Sequence, residues 1–138
     1  MGMNSLRSIP GIEVAPPVDE VERAVADALL HVPIPPALVE FLSVSNGVRL
    51  GQVEIFDLER ITTVTNAAQH SWQLLGTVIV GTAGQGRALV MSASWNEVYE
   101  VDDDTWDSRT LELAADSLFD LFVKHGGLAL RERERWWA

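Results

Sequence analysis

The chain has 138 residues, 47% of them hydrophobic and 22% charged, enough apolar content for one domain of ordinary size that needs no metal or disulfide to hold it together. It has no cysteine, which excludes disulfides, thiolate zinc sites and a cysteine nucleophile. Ten Lys and Arg against twenty Asp and Glu leave a net charge of −10, a field that repels nucleic acid and anionic membranes and attracts basic proteins. Solubility alone accounts for such a charge as readily as a basic partner does.

Residues 1–14 show no period and are punctuated by Pro10-Gly11, which predicts a flexible or loosely docked lead-in without a signal-peptide pattern. After Pro16-Pro17, the residues Val18, Val21, Val25, Ala28 and Leu29 recur at helical spacing, with Asp19, Glu20 and Glu22 near the start, where the helix dipole favours acids. Pro35-Pro36 opens a second helix with Leu38, Phe41, Leu42 and Ser45 on one side and Gly47 as its left-handed stop. The segment 48–57 reads as extended chain, and 58–63 as a short helix. A β-meander follows: GTVIVGTA, a Gly84–Gly86 turn, RALVMSAS and WNEVYEVD. DDDTWDSR is a polar loop, and LAADSLFDLFVKHGG is a closing helix stopped at Gly126-Gly127. The tail LRERERWW alternates in sign and fits an edge strand or a short helix. The order predicts a single α+β domain, with a central, largely antiparallel meander and flanking N- and C-terminal helices. Its core spans about 18–123, and 128–138 form a tail. No run is long and apolar enough to span a bilayer, so the expected location is the cytoplasm.

No catalytic constellation emerges. His31, His70 and His125 form no ligand-spaced cluster. GTAGQG lacks the Lys-Ser/Thr of a phosphate loop and joins two strands, and no serine nucleophile motif is present. The densest acidic run is Asp102, Asp103 and Asp104, with Glu97, Glu100 and Asp107 nearby. It lacks the calcium-loop pattern. Consecutive carboxylates on a strand point to alternate faces, which argues against a shared ion. The run is therefore either a solvated loop or a contact patch for the Lys and Arg of a partner. Of five tryptophans, Trp72 and Trp95 read as core. Trp106, between acids in a polar loop, reads as a partner anchor, and Trp136 and Trp137 as an edge cap or subunit contact. The reading expects no enzyme activity, no cofactor and no metal.

IPPALVEFLSVSNG (34–47), the glycine-flanked GTVIVGTAGQGRALVMSASWNEVYEVD (76–102) and AADSLFDLFV (114–123) together resemble the SUKH superfamily, which includes a yeast cell-wall-synthesis regulator domain and many bacterial immunity proteins. The resemblance covers roughly 18–123. It implies a non-enzymatic α+β domain that binds and neutralises a cognate bacterial toxin, one acting on nucleic acid and therefore basic. The residues expected to touch that toxin are Asp102, Asp103, Asp104, Trp106 and Asp107. No direct nucleic-acid or membrane contact is expected, and the RERERWW tail allows a homodimer. The alternative is a regulatory or scaffold module that binds a cellular protein.

Overall fold

The computed structural model describes residues 6–68, 76–92 and 96–135. Seven strands form one antiparallel meander in chain order: β1 (Glu13–Val14), β2 (Val48–Leu50), β3 (Val53–Ile55), β4 (Thr77–Gly84), β5 (Arg87–Ser92), β6 (Val98–Asp102) and β7 (Glu112–Ala115). Helices flank it: α1 (Glu20–Leu29), α2 (Pro36–Leu42), α3 (Leu58–Ala68), α4 (Leu118–Val123) and α5 (Leu130–Arg135). The predicted α+β meander is therefore the observed fold. Among the described residues no helix is long and apolar enough to cross a membrane.

The central strands are rich in apolar residues, β-branched for the most part in β4. In β4 and β5 the run from Val78 to Gly81 and the run from Arg87 to Met91 are wholly buried. A strand covered on both faces reads as a continuous apolar run rather than an alternation. Gln85 and Gly86 turn the chain between these strands with φ of 53° and 76°, the paired positive values that suit a two-residue hairpin. Gly81 has a different task. A Cβ there would overlap the Glu54 carbonyl, so only glycine lets β3 and β4 close into register.

The core joins the sheet to α2 and α4. Phe41 of α2 is fully buried, 5.0 Å from the Phe119 ring and 6.3 Å from that of Phe122. Pro36 starts α2, where a missing N–H goes unnoticed.

Five expectations change. The described part of the lead-in, residues 6–14, is firmly docked: Leu6 is fully buried, Ile9 and Ile12 pack on the core, and Glu13–Val14 adds a strand to the sheet edge. Gly47 has φ +119° but does not stop α2, which ends at Leu42; it leads into β2 instead. The short helix expected at 58–63 runs on to Ala68, because Ile61, Thr62 and Thr65 keep an inward face. Residues 113–115, expected to open the closing helix, instead lie in β7, and Ser117 caps α4 by accepting the Asp120 N–H. Finally, the apolar stripe of α1 faces outward: Val21, Val25 and Leu29 are exposed, and Ala26 is the buried residue of the helix.

Polar clamps at both ends, rather than that stripe, hold α1 in place. Asp19 and Glu22 form a capping box, and Asn46 donates to Glu22 (3.2 Å) while accepting the Leu58 N–H (2.8 Å). One asparagine thus ties the starts of α1 and α3 together. At the other end, Asn66 of α3 donates to the Leu29 carbonyl (2.8 Å) and accepts the His31 N–H (3.0 Å). Each clamp satisfies backbone groups that a helix end leaves without partners.

Candidate functional site: the acidic loop between β6 and β7

The strand β6 ends at Asp102, and its end is tied to the β4–β5 hairpin. Asp102 pairs with Arg87 in the sheet, and the Asp103 N–H donates to the Gly86 carbonyl at 2.9 Å. The Asp102 carboxylate then turns the chain: its Oδ1 accepts the N–H groups of Asp104 (2.8 Å) and Thr105 (3.3 Å). This is the side-chain turn that aspartate favours. Because Asp103 and Asp104 lie in that turn, strand alternation no longer separates them. The ligand oxygens of Asp102, Asp103 and Asp104 lie within 4.8 Å of one another. That convergence overturns the geometric argument against a shared cation. Among the described residues these three are the group able to gather around one, and none of them is in an ion pair.

Gathering like charges has an electrostatic consequence. Partial burial, with Asp104 and Asp102 beside it, pushes the Asp103 carboxyl above its usual value of 3.8. A cation placed here would relieve the repulsion. The guanidinium of an arginine or the ammonium of a lysine meets that demand, as does a hard divalent ion.

Trp106 and Asp107 differ from the sequence expectation. Trp106 is partly buried and packs against the core instead of standing free. Its φ is 50°, a left-handed value uncommon for a bulky residue, and its N–H donates to the Asp102 carbonyl at 3.0 Å. The backbone of Trp106 is thereby tied to that of Asp102, while its side chain packs partly on the core. Asp107 turns away from them. Its carboxylate holds Arg109 at 2.6 Å and accepts the Arg109 N–H at 2.9 Å, capping a short 3-10 turn (Ser108–Thr110). The Arg109 side-chain hydrogen bonds hold the Asp107 carboxyl below the ordinary value. Asp107 is thus occupied within the loop, and the group brought together is Asp102, Asp103 and Asp104.

The broader acidic stretch from Glu97 to Asp107 is also not one patch. Glu100 is 1% exposed, and Arg87 at 6% is its partner, with Nε 3.3 Å from Oε1. Arg87 also donates to Glu112 (3.1 Å) and to the Thr110 carbonyl (3.1 Å). The other Glu100 oxygen accepts the Leu130 N–H at 2.9 Å, which seats the start of α5. Sequence reasoning missed this cluster. The available signal was a charge opening the apolar strand β5 and another in the middle of β6, placements that demand pairing once the strands are buried.

His31 contributes a backbone N–H to the α1 clamp, and His125 sits beyond α4 with its pKa lowered, first by burial and then by Arg133 and Lys124. Neither joins a ligand cluster among the described residues. His70, Trp72, Trp95, Trp136 and Trp137 lie outside the described residues.

No family model matches this chain, and no curated protein matches it. The site offers three converging carboxylates without an ion-pair partner among the described residues, followed in the same loop by the core-packed Trp106, on a protein of net charge −10.

Proposed function

We propose that this chain is a non-catalytic binding domain that captures and neutralises a basic protein, a bacterial toxin domain acting on nucleic acid, through the loop between β6 and β7. The observation that carries the reading is the convergence of Asp102, Asp103 and Asp104 within 4.8 Å with no basic partner of their own among the described residues. Folding concentrates charge there without neutralising it, and Lys or Arg from outside completes the group. The likeness of 34–47, 76–102 and 114–123 to the SUKH superfamily supports a toxin as the source of those cations. A nuclease needs a basic surface for its phosphate substrate, and an acidic inhibitor that covers this surface gains in association rate as well as in register.

The test is a calorimetric titration of the purified chain against the toxin domain encoded beside it, at two salt concentrations. Asp102, Asp103 and Asp104 changed together to Asn should weaken binding by about 2 kcal/mol or more and flatten its salt dependence. Unaltered affinity and an unaltered salt slope would remove the loop from the interface.

A further inference from the structure

A second surface lies on α1 and α3. Val21, Val25 and Leu29 are 73%, 52% and 56% exposed, and their i, i+4, i+8 spacing sets them in one row along α1. With Glu59, Thr62 and Thr63 of α3 they line a groove of about 420 Å³. The two threonine hydroxyls donate back to the Leu58 and Glu59 carbonyls (2.8 and 3.1 Å). Their hydrogen-bonding demand is met within the helix, which makes that wall less polar than its composition. The charges lining the groove are Asp19, Glu22 and Glu59, with no Lys or Arg among them.

The clamps at Asn46 and Asn66 make the stripe informative. They hold α1 to α3 without burying Val21, Val25 or Leu29. Three large apolar side chains exposed in a row on one helix are a feature that solubility alone does not favour. The shape and apolar floor fit a helix laid lengthwise, with its own apolar residues at matching spacing. The acidic rim selects its flanks. A second copy of this chain would set acids against acids, whereas a helix flanked by Lys and Arg meets opposite charge on each side.

We infer that the groove between α1 and α3, floored by Val21, Val25 and Leu29 and rimmed by Asp19, Glu22 and Glu59, is a docking site for a basic amphipathic helix of a partner protein. It is separate from the β6–β7 loop and stands whether or not that loop binds a toxin.

The test uses the full ¹⁵N-labelled chain and a synthetic helical peptide with Leu at i, i+4 and i+8 and Lys beside each. Amide shifts should change along 19–30 and 58–65. Val25→Asp, at an exposed position, and Glu59→Lys should each weaken the peptide about tenfold or more, while Asn at 102, 103 and 104 together should leave it unchanged. A control peptide with Glu in place of each Lys should bind far more weakly. The proposal fails if the two peptides bind alike, if the shifts gather at 102–107, or if the same amides move with protein concentration alone, which would make the occupant a second copy.

Discussion

The strand β6 and the loop that follows it carry acids two residues apart with opposite fates. Glu100 is buried and answered by the Leu130 N–H and by Arg87, whose guanidinium it shares with Glu112. Asp102 leads a turn in which three carboxylates converge with no cation of their own among the described residues. The difference teaches how to sort acidity in this molecule. A carboxylate taken out of water must be paired or the fold does not hold, whereas a cluster left at the surface without a partner is a charge available to another molecule.

The largest effect that tests this division is expected in the strand. Changing Arg87→Met leaves Glu100 buried without its cation and frees one partner of Glu112. The expected loss is about 3–5 kcal/mol in urea unfolding, with little change in slope. Adding Glu100→Leu should recover much of that loss, since an apolar pair avoids the desolvation of two charges. It would also release the Leu130 N–H, so amide exchange at the start of α5 should quicken. A loss below about 1 kcal/mol in the single variant would mean that this pair is not what holds the strand, and the comparison would collapse.

The next effect belongs to the loop. Trp106→Gly removes a ring that packs partly on the core and relieves a left-handed φ of 50°. These changes oppose each other, so stability should move by no more than about 1–2 kcal/mol. Affinity for the basic partner should fall by about 2 kcal/mol or more if the ring is an anchor. Lost stability with unchanged affinity would assign Trp106 to packing alone, and the recognition surface would then be carboxylates without an aromatic.

Much of the fold was legible because its signals are local. The meander rests on apolar runs broken by Gly84–Gly86, and α2 on Pro36 followed by Leu38, Phe41 and Leu42. What was hidden depends on distant partners. Residues 113–115 look like the start of a helix in LAADSLFDLF, yet register with Val98 and Tyr99 places them in β7. The stripe on α1 predicts a buried face, but Asn46 and Asn66, 24 residues from Glu22 and 37 from Leu29, hold the helix the other way. The same limit governs the site. The acids of the loop were visible as a run of letters. Their convergence, the diversion of Asp107 to Arg109 and the burial of Glu100 follow from where β6 ends, which a run of letters does not mark.

The smallest effect separates two acids within the loop itself. The Asp103 carboxyl is raised above 3.8 by partial burial and by Asp104 and Asp102. A folded value above the unfolded one means that the fold prefers the protonated acid. Its contribution is fully present below the unfolded value and is lost as pH rises through the raised one. Asp103→Asn removes that loss, so the variant should melt slightly higher than the parent at neutral pH. The gain should stay below about 0.5 kcal/mol, because the site is largely open to solvent, and should vanish in acid. Asp107 runs the other way. Arg109 lowers its carboxyl, so its contribution is present above the ordinary value and is lost as pH falls through the lowered one. Asp107→Asn should therefore melt slightly lower than the parent at neutral pH, and that difference too should close in acid. Melting curves of the three proteins from pH 3 to 7 decide the matter by sign alone. If Asp103→Asn melts lower at neutral pH, the three carboxylates are already answered by something that draws them together, and the loop belongs with Glu100 rather than opposite it.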